Sequence, residues 1–452
     1  MTSTRPLAAA LALLLAAPGA VGAAETALTL DDALALAARA NPDLALARAD
    51  AEIARADRTA SVAGALPRLD LSSSFGRSYV GRSSEAGLVY DPRTDRLIEA
   101  GAASDTATYA LGLQLTQPVF DWATFRDVER SGLNQRAAER QYDEAALGIA
   151  FDVTRRFYEV ARAERSLVVL ESTAARSKEL VDRADALFSA GRAPKSDTYS
   201  ARVNLGNDLI NVERQRALVV QARSGLAQVL GEEALEARIV PPATLDPAAG
   251  APGAPPPREA LLAAARERRP ALAADRALVE AADAAIGIAR AGYLPRVDLR
   301  AGYDRSGVEL AGGGGVYADP SRDYRASVQL VASWNLFEGR RTSADVRRAE
   351  GAAARARASA ERTVDAVAKE ISDARALAES RARQISLATD NLRMAEQGLA
   401  LARERLDAGL ATQLELRDAS LKLTQAELAL VEARIDHAVA IADLARAAGG
   451  PI

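Results

Sequence analysis

Short stretches of strict apolar–polar alternation occur twice in each half of the chain, and most of the rest carries helical spacing. In the first half Leu69, Leu71 and Phe75 alternate with Asp70, Ser72, Ser74 and Gly76. Further on, Tyr109, Leu111, Leu113 and Leu115 alternate with Ala110, Gly112, Gln114 and Thr116. A period of two puts each set on opposite faces of a strand. The second half sets Val297, Leu299, Ala301 and Tyr303 against Asp298, Arg300, Gly302 and Asp304. Its returning strand places Tyr324, Ala326, Val328, Leu330 and Trp334 on one face. Strands are therefore expected over about 67–80, 108–120, 295–306 and 323–337.

Helical spacing leads into each strand pair and leaves it. A first helical stretch covers about 30–65, broken at Asn41–Pro42, where Asn caps and Pro suits a first turn. Pro67 ends it, lacking an N–H and forcing its predecessor extended. After Phe120 a helix begins near Thr124 and meets no proline until past Ser189, roughly 100 Å at 1.5 Å per residue. Gly191 is the left-handed residue expected to close it, and Pro194 opens a return helix to about Leu230, some 55 Å long (~1.5 Å per residue). The helical hairpin thus spans about 124–230. The second half gives helices over about 258–292 and 340–408, a turn at Gly409, and a last helix from Thr412 to about 447, its hairpin spanning 340–447. The short helix before each strand pair and the return helix together nearly match the long one. Stacked end to end, they run antiparallel along it, so each half is a strand hairpin on a helical hairpin.

The halves are copies of each other. Leu66-Pro67-Arg68-Leu69-Asp70 recurs as Leu294-Pro295-Arg296-Val297-Asp298, and Asn41-Pro42 answers to Arg269-Pro270. Ala190-Gly191 answers to Ala408-Gly409. A period this long is no short-repeat solenoid; two structural repeats, 25–240 and 258–452, are expected, joined by a Pro/Ala/Gly linker at 241–257. Polar and Gly-containing loops join the strands, 82–105 in the first repeat and one containing Gly312-Gly313-Gly314-Gly315 in the second.

Composition narrows the class. About half of the 452 residues are hydrophobic, much of that alanine, and 4% are aromatic, which favours long helices packed through small side chains. A net charge of -4 argues against a nucleic-acid partner. Arg5, the apolar run at 7–17 and Gly22-Ala23-Ala24 before Glu25 read as a signal peptide over 1–24. Its apolar run is too short to span a bilayer, which takes about 20 residues. With no cysteine, neither disulfides nor a thiol for lipid attachment are available. An exported, unlipidated chain is expected.

Strands of about ten residues suit a tilted crossing of a bilayer, and one apolar face against one polar face is the lipid-out, lumen-in pattern of a barrel. Thirteen of the nineteen aromatic residues fall within 75–125 or 293–337, with Trp122 and Trp334 near strand ends, where interfacial girdles form. A soluble sheet with one buried face would alternate identically; the export signal and the absence of another core for so short a sheet favour the barrel. Four strands cannot close, and lipid tolerates no open edge. Two copies would give a barrel filled by its own side chains, three a barrel with a lumen. The expected fold is an α+β membrane protein: a trimeric 12-stranded β-barrel on a long α-helical barrel.

No catalytic set emerges. His437, the sole histidine, lacks a repeated carboxylate–histidine spacing, and no serine- or cysteine-centred motif accompanies it. Neither enzyme chemistry nor a cofactor is expected.

The duplicated helix, the Leu-Pro-Arg strand start, the long helical hairpin and the Ala-Gly turn followed by an acid resemble the TolC-type outer-membrane efflux proteins, over about 28–449. The resemblance implies homotrimers in the outer membrane, with a helical tunnel in the periplasm that docks a periplasmic adaptor and an inner-membrane transporter. It implies an exit duct for small molecules; type I protein secretion uses the same duct with another pump. A soluble periplasmic coiled-coil adaptor would explain the helical hairpins but not the paired strands. Many relatives carry an acylated N-terminal cysteine, so this chain resembles the unlipidated branch. Asp197, Glu415 and Asp418 match acids at the constricted periplasmic end of the family's tunnel. Threefold symmetry would turn each into a carboxylate ring, while acids in a helix's first turns also complement its dipole. Arg192 and Arg417 are the candidate basic gate partners. Ala411 stands where some members carry a charge, a departure from their closed-state pattern. The turns with Gly191, Gly409 and Leu410 resemble loops where adaptors dock.

Overall fold

The computed structural model describes residues 27–81, 87–91, 95–100, 104–230, 238–242, 253–310, 316–317 and 324–450. The expected signal peptide, the Gly312–Gly315 run and most of the linker lie outside these residues. In chain order the elements are β1 (Ala27–Leu28), α1 (Leu30–Ala40), α2 (Pro42–Gly64), β2 (Arg68–Val80), β3 (Gly87–Asp91), β4 (Arg96–Ala100), β5 (Ser104–Phe120), α3 (Trp122–Ser189) and α4 (Lys195–Leu230). Then come β6 (Arg238–Ile239), α5 (Arg258–Arg268), α6 (Pro270–Arg290), β7 (Arg296–Gly307), β8 (Tyr324–Ser333), α7 (Arg341–Asp407) and α8 (Gln413–Ala448). The sequence helix–helix–strand–strand–helix–helix occurs twice.

The chain forms two compact units. One comprises Pro42–Ile149, Pro255–Ala378 and the chain from Ile441. It holds a four-stranded antiparallel sheet in the order β2-β5-β7-β8. The ladder aligns the apolar positions of every strand: Leu71 faces Leu113, which faces Tyr303, and Leu299 faces Leu330. Phe75 and Tyr109 pack in a tilted pair across β2 and β5 at 4.9 Å between ring centroids, and Tyr303 and Tyr324 stack across β7 and β8 at 5.6 Å, the pairing that stabilises neighbouring strands. The opposite face is polar and closely filled. A Cβ on Gly112 would lie 2.9 Å from Asp304 Oδ1 and 3.0 Å from Ser72 Oγ.

Among the described residues the apolar face is largely uncovered, although Arg305 on the same side of β7 is buried. Leu71 is 72% exposed and Val328 76%, and β2 and β8 each have one unpaired edge. Among the described residues no helix is long and apolar enough to cross a membrane. The sequence expectations need three local adjustments. The stretch at 82–105 contains a hairpin, β3–β4. The second strand begins at Ser104, and the last ends at Ser333. Trp334 lies just beyond it, its Nε1 donating to the Tyr293 carbonyl at 3.1 Å.

Helix boundaries follow local chemistry. Asp121 caps α3, accepting from the Ala123 N–H at 3.1 Å and the Thr124 hydroxyl at 2.8 Å. Within this unit Arg269, 5% exposed, donates to the carbonyl of Arg446 near the end of α8 and pairs with Glu144 at 2.7 Å. Gly449, at φ 89°, closes α8; a Cβ there would sit 2.8 Å from the Arg268 backbone.

The second unit comprises the chain up to Asn41, Ala150–Ala254 and Glu379–Ala440. Thr29 and Asp32 form a reciprocal capping box at the start of α1. The Asn41 amide donates to the Val229 carbonyl near the end of α4 at 3.2 Å, so the residue before each Pro-started helix ties down a return helix, as Arg269 does in the other unit. Buried apolar residues recur every seven positions: Val212, Val219 and Leu226 on α4, and Leu416, Leu423 and Leu430 on α8. A seven-residue repeat is the signature of helices winding around each other. Ile385 and Ala388 on α7 pack against Leu430 and Ala433 on α8.

The next position in the α8 register after Leu430 is His437, whose buried Nε2 has no hydrogen-bond partner among the described residues. Burial holds this imidazole below its usual value, so the unfolded chain takes the proton first. Stability is then lost as the pH falls through about 6.5, the ordinary imidazole range. His437→Leu should flatten that loss and raise the melting temperature at acid pH, because it removes an unsatisfied polar atom and extends the leucine register. Melting curves of both proteins in mild detergent across pH 5 to 8 check this; parallel curves would place the acid sensitivity elsewhere.

Candidate functional site

The hairpin tips carry the residues singled out in the sequence. Both turns have the same backbone. In the first, Arg192 N–H donates to the Leu187 carbonyl at 2.8 Å and Gly191 N–H to that of Phe188 at 2.9 Å. In the second, Leu410 N–H reaches the Arg405 carbonyl at 2.8 Å and Gly409 N–H that of Leu406 at 3.0 Å. This pair of bonds ends a helix only if the residue between adopts positive φ, and Gly191 and Gly409 do, at 71° and 73°. Beyond the turns, Leu410 is exposed.

After the second turn, Thr412 caps α8, its hydroxyl accepting from the Glu415 N–H at 3.2 Å. Glu415 thereby takes the third helical position, where an acid complements the helix dipole. Its carboxylate also lies 3.5 Å from Arg405 Nη1, across the turn. Asp418 pairs with Lys422 one helical turn on at 2.7 Å. Both acids are exposed. Asp197, half-buried in the first turn of α4, accepts from the Ser196 hydroxyl at 3.3 Å. The three acids are not brought into contact within one chain.

The two candidate arginines part company. Arg192 is exposed in its turn. Arg417 instead points inward, 12% exposed, and grips Asp208 of α4 with both guanidinium nitrogens, at 2.7 and 2.9 Å. Ser177 of α3 donates to the same carboxylate and accepts from Arg417 at 2.9 Å. The basic partner of Glu415 is Arg405, and that of Asp418 is Lys422, neither of which the sequence reading named. Their spacing held the signal: Lys422 follows Asp418 by one helical turn, and Arg405 faces Glu415 across a turn closed by Gly409. Asp208 and Ser177 carried no such signal, since no local pattern connects α3 and α4 to α8.

The Arg417–Asp208–Ser177 cluster belongs to a polar seam. Thr173 and Thr424 share a hydrogen bond of 2.8 Å between α3 and α8, and Arg176 pairs with Glu427 at 3.1 Å. Asp436 of α8 pairs with Arg162 of α3 and with Arg381 of α7, the latter at 3.1 Å. The first hairpin therefore meets the second in part through hydroxyls and ion pairs, while α7 and α8 combine an aliphatic contact with the Arg381–Asp436 pair. Buried charges joined this way tolerate little displacement, because separation leaves each charge without solvent.

Comparisons with known proteins agree on what carries such turns and strands. The chain is 25% identical over 419 residues to outer membrane protein OprJ of Pseudomonas aeruginosa, covering 90% of this chain and 80% of that protein. Outer membrane protein TolC of Vibrio cholerae is 22% identical over 416 residues, covering 90% of this chain and 88% of that one. The crystal structure of the Campylobacter jejuni CmeC outer membrane channel shares the fold, with a TM-score of 0.77 at 18% identity over 93% of this chain and 85% of the other. The family model described as outer membrane efflux protein matches residues 33–232 and again 261–450. The chain therefore belongs to the outer membrane efflux protein family and is a protein of the outer membrane.

Proposed function

We propose that three copies of this chain close a shared twelve-stranded β-barrel in the outer membrane, and that their helical hairpins form a periplasmic tunnel beneath it. The observation that carries this reading is the sheet, with its bare apolar face and two unpaired edges. Lipid can cover the face but cannot satisfy the edges, and three copies give enough strands for a lumen. The assembled protein is then a passive exit duct of a tripartite efflux system, passing small molecules delivered by an inner-membrane transporter through a periplasmic adaptor. The adaptor docks at the turns of Gly191, Gly409 and Leu410, which are exposed and rigidly closed. Residues 1–24 act as the export signal. The halves 25–240 and 258–452 descend from one duplicated unit, a view supported by the repeated element order and by the two separate matches to one family model.

The tips form the gate. Threefold symmetry makes rings of Glu415 and of Asp418, with Asp197 contributing less because it is half-buried. Arg405 and Lys422 temper these rings without removing them, since exposed pairs are weak. Arg417, held by Asp208, fixes the start of α8 against the first hairpin, and so sets where the rings stand.

In mild detergent the protein should scatter light as a trimer; a monomer with its strands intact would refute the shared barrel. In planar bilayers, multivalent cations added on the tip side should block the current. Glu415→Ala with Asp418→Ala should abolish that block, and each single substitution should reduce it, because the remaining ring keeps part of the field. A doubly substituted channel still blocked as strongly would leave these acids as dipole-complementing surface charges.

Arg417→Leu should strand the buried Asp208 carboxylate, costing about 3–5 kcal/mol, and should raise single-channel conductance as α8 loosens. Adding Asp208→Leu should recover most of the stability, since an apolar pair can replace a buried ion pair, while conductance stays high. A melting temperature unchanged in the single variant would show that the cluster fixes nothing.

A further inference from the structure

Between α3, α7 and α8 lies a cavity of about 280 Å³, and all three of its walls belong to the tip-bearing unit. Val169 of α3, Leu392 of α7 and Leu430, Val431 and Ile435 of α8 give it apolar sides. Leu430 and Ile435 are buried. Positions 427, 430, 431 and 434 recur at helical spacing, so a single stripe of α8 forms the floor. With about 30 Å³ for a water-sized group, the space holds roughly nine such groups.

Charge divides along the length of this cavity. The Arg162–Asp436 ion pair and the Thr173–Thr424 hydrogen bond mark the register of antiparallel α3 and α8. Arg165 lies one turn from Arg162 and Arg434 two positions from Asp436, so both lining arginines stand at the end away from the tips. Glu427 lies one turn from Thr424, and Glu396 two turns from Arg403, which pairs with Glu179 of α3. These lining acids stand at the end toward the tips. Arg176 already holds Glu427 at 3.1 Å, and Glu396 is exposed. At the arginine end, Asp436 is engaged at both oxygens, by Arg162 and by Arg381. Arg165 has neither ion pair nor hydrogen bond among the described residues, and Arg434 is only 6% exposed. An apolar slot is thus positive at one end.

We propose that this cavity binds a single-chain anionic amphiphile, an alkyl carboxylate of about eight to ten carbons. Its carboxylate meets Arg165, whose planar fork suits two carboxylate oxygens, and the Arg434 charge adds to the attraction. The alkyl chain runs tipward along Val431, Leu430 and Leu392 and stops before Glu427 and Glu396, whose charges oppose the reverse orientation. Positions 427, 431 and 434 lie roughly 160–220° around α8 from Asp418, so the cavity is on the side of the helix away from that tip acid. An occupant there touches α3 of the first hairpin and α7 and α8 of the second at once. It therefore strengthens their docking and is a ligand of the wall, distinct from cargo in transit.

Equilibrium dialysis of the full chain in lipid nanodiscs, with empty nanodiscs subtracted, tests this directly. Decanoate should bind saturably, one per chain, and should raise the melting temperature. Each methylene removed should weaken binding about fourfold, the worth of one buried methylene. Chains longer than decanoate should gain nothing further, because the cavity ends. Arg165→Gln, at a half-buried side chain without a partner, should weaken decanoate binding about tenfold or more while the fold is kept. Val431→Phe should fill the space and abolish binding, with helical content by circular dichroism unchanged. Equal binding of decylammonium, affinity that keeps rising beyond decanoate, or binding undiminished in Arg165→Gln would reveal plain partition into lipid and overturn the site. Absence of saturable binding overturns it as well.

Discussion

A strand edge left open in a bilayer is the constraint on which the rest of this architecture depends. Each unpaired N–H and C=O in hydrocarbon costs several kcal/mol, roughly the value of an uncompensated polar group. The sheet has two such edges, β2 and β8, flanking an apolar surface that the described residues leave largely uncovered. The apolar surface alone asks only for lipid. The edges ask for another strand, which in the proposed barrel a further copy of the chain supplies. Duplication makes this economical: one edge comes from the first half and the other from the second, so identical chains present unlike ends and can join head to tail.

The helical part answers to a different balance. Alanine-rich helices contribute little transfer free energy per contact, about 0.8 kcal/mol for each buried methylene-sized group, but they approach closely and can do so over many turns. Heptad-spaced Val212, Val219 and Leu226 on one helix and Leu416, Leu423 and Leu430 on another supply the larger side chains at intervals. The interface between the hairpins is built otherwise, from Thr173–Thr424, Arg176–Glu427 and Arg417–Asp208. An aliphatic seam tolerates sliding at small cost, whereas a bidentate ion pair has one good geometry. The bidentate pair therefore limits sliding of one hairpin on the other, while within each hairpin aliphatic contacts act together with ion pairs such as Arg223–Glu164 and Arg381–Asp436.

Much of this was legible in the chain because the responsible chemistry is local. Pro67 and Pro295 stop helices, Gly191 and Gly409 close them, and a period of two reveals each strand, all within a few residues. The repeat helped further: Asn41 and Arg269, though unlike, hold equivalent places and each reaches the end of a return helix. What stayed hidden depends on chain segments far apart. Arg417 read as a candidate basic partner for the tip acids because it stands near the turn, as such partners do in the family the sequence resembles. Its actual partner, Asp208, is 209 positions away. The β3–β4 hairpin was hidden for another reason: a short pair of strands within a polar, glycine-containing stretch lacks a buried face to impose alternation.

The misplacement of Arg417 has a physical sense. On the helix face that carries Glu415 and Asp418, Arg405 and Lys422 already give each acid a basic partner. Turned by about 100° per residue, position 417 faces the first hairpin instead, and there a guanidinium finds both a carboxylate and a hydroxyl. One helical turn of α8 thus presents acids outward and an arginine inward. The inward ion pair fixes the helix that carries the outward charges, so the placement of those charges and the docking of the hairpins rest on the same few residues. Loosening one displaces the other.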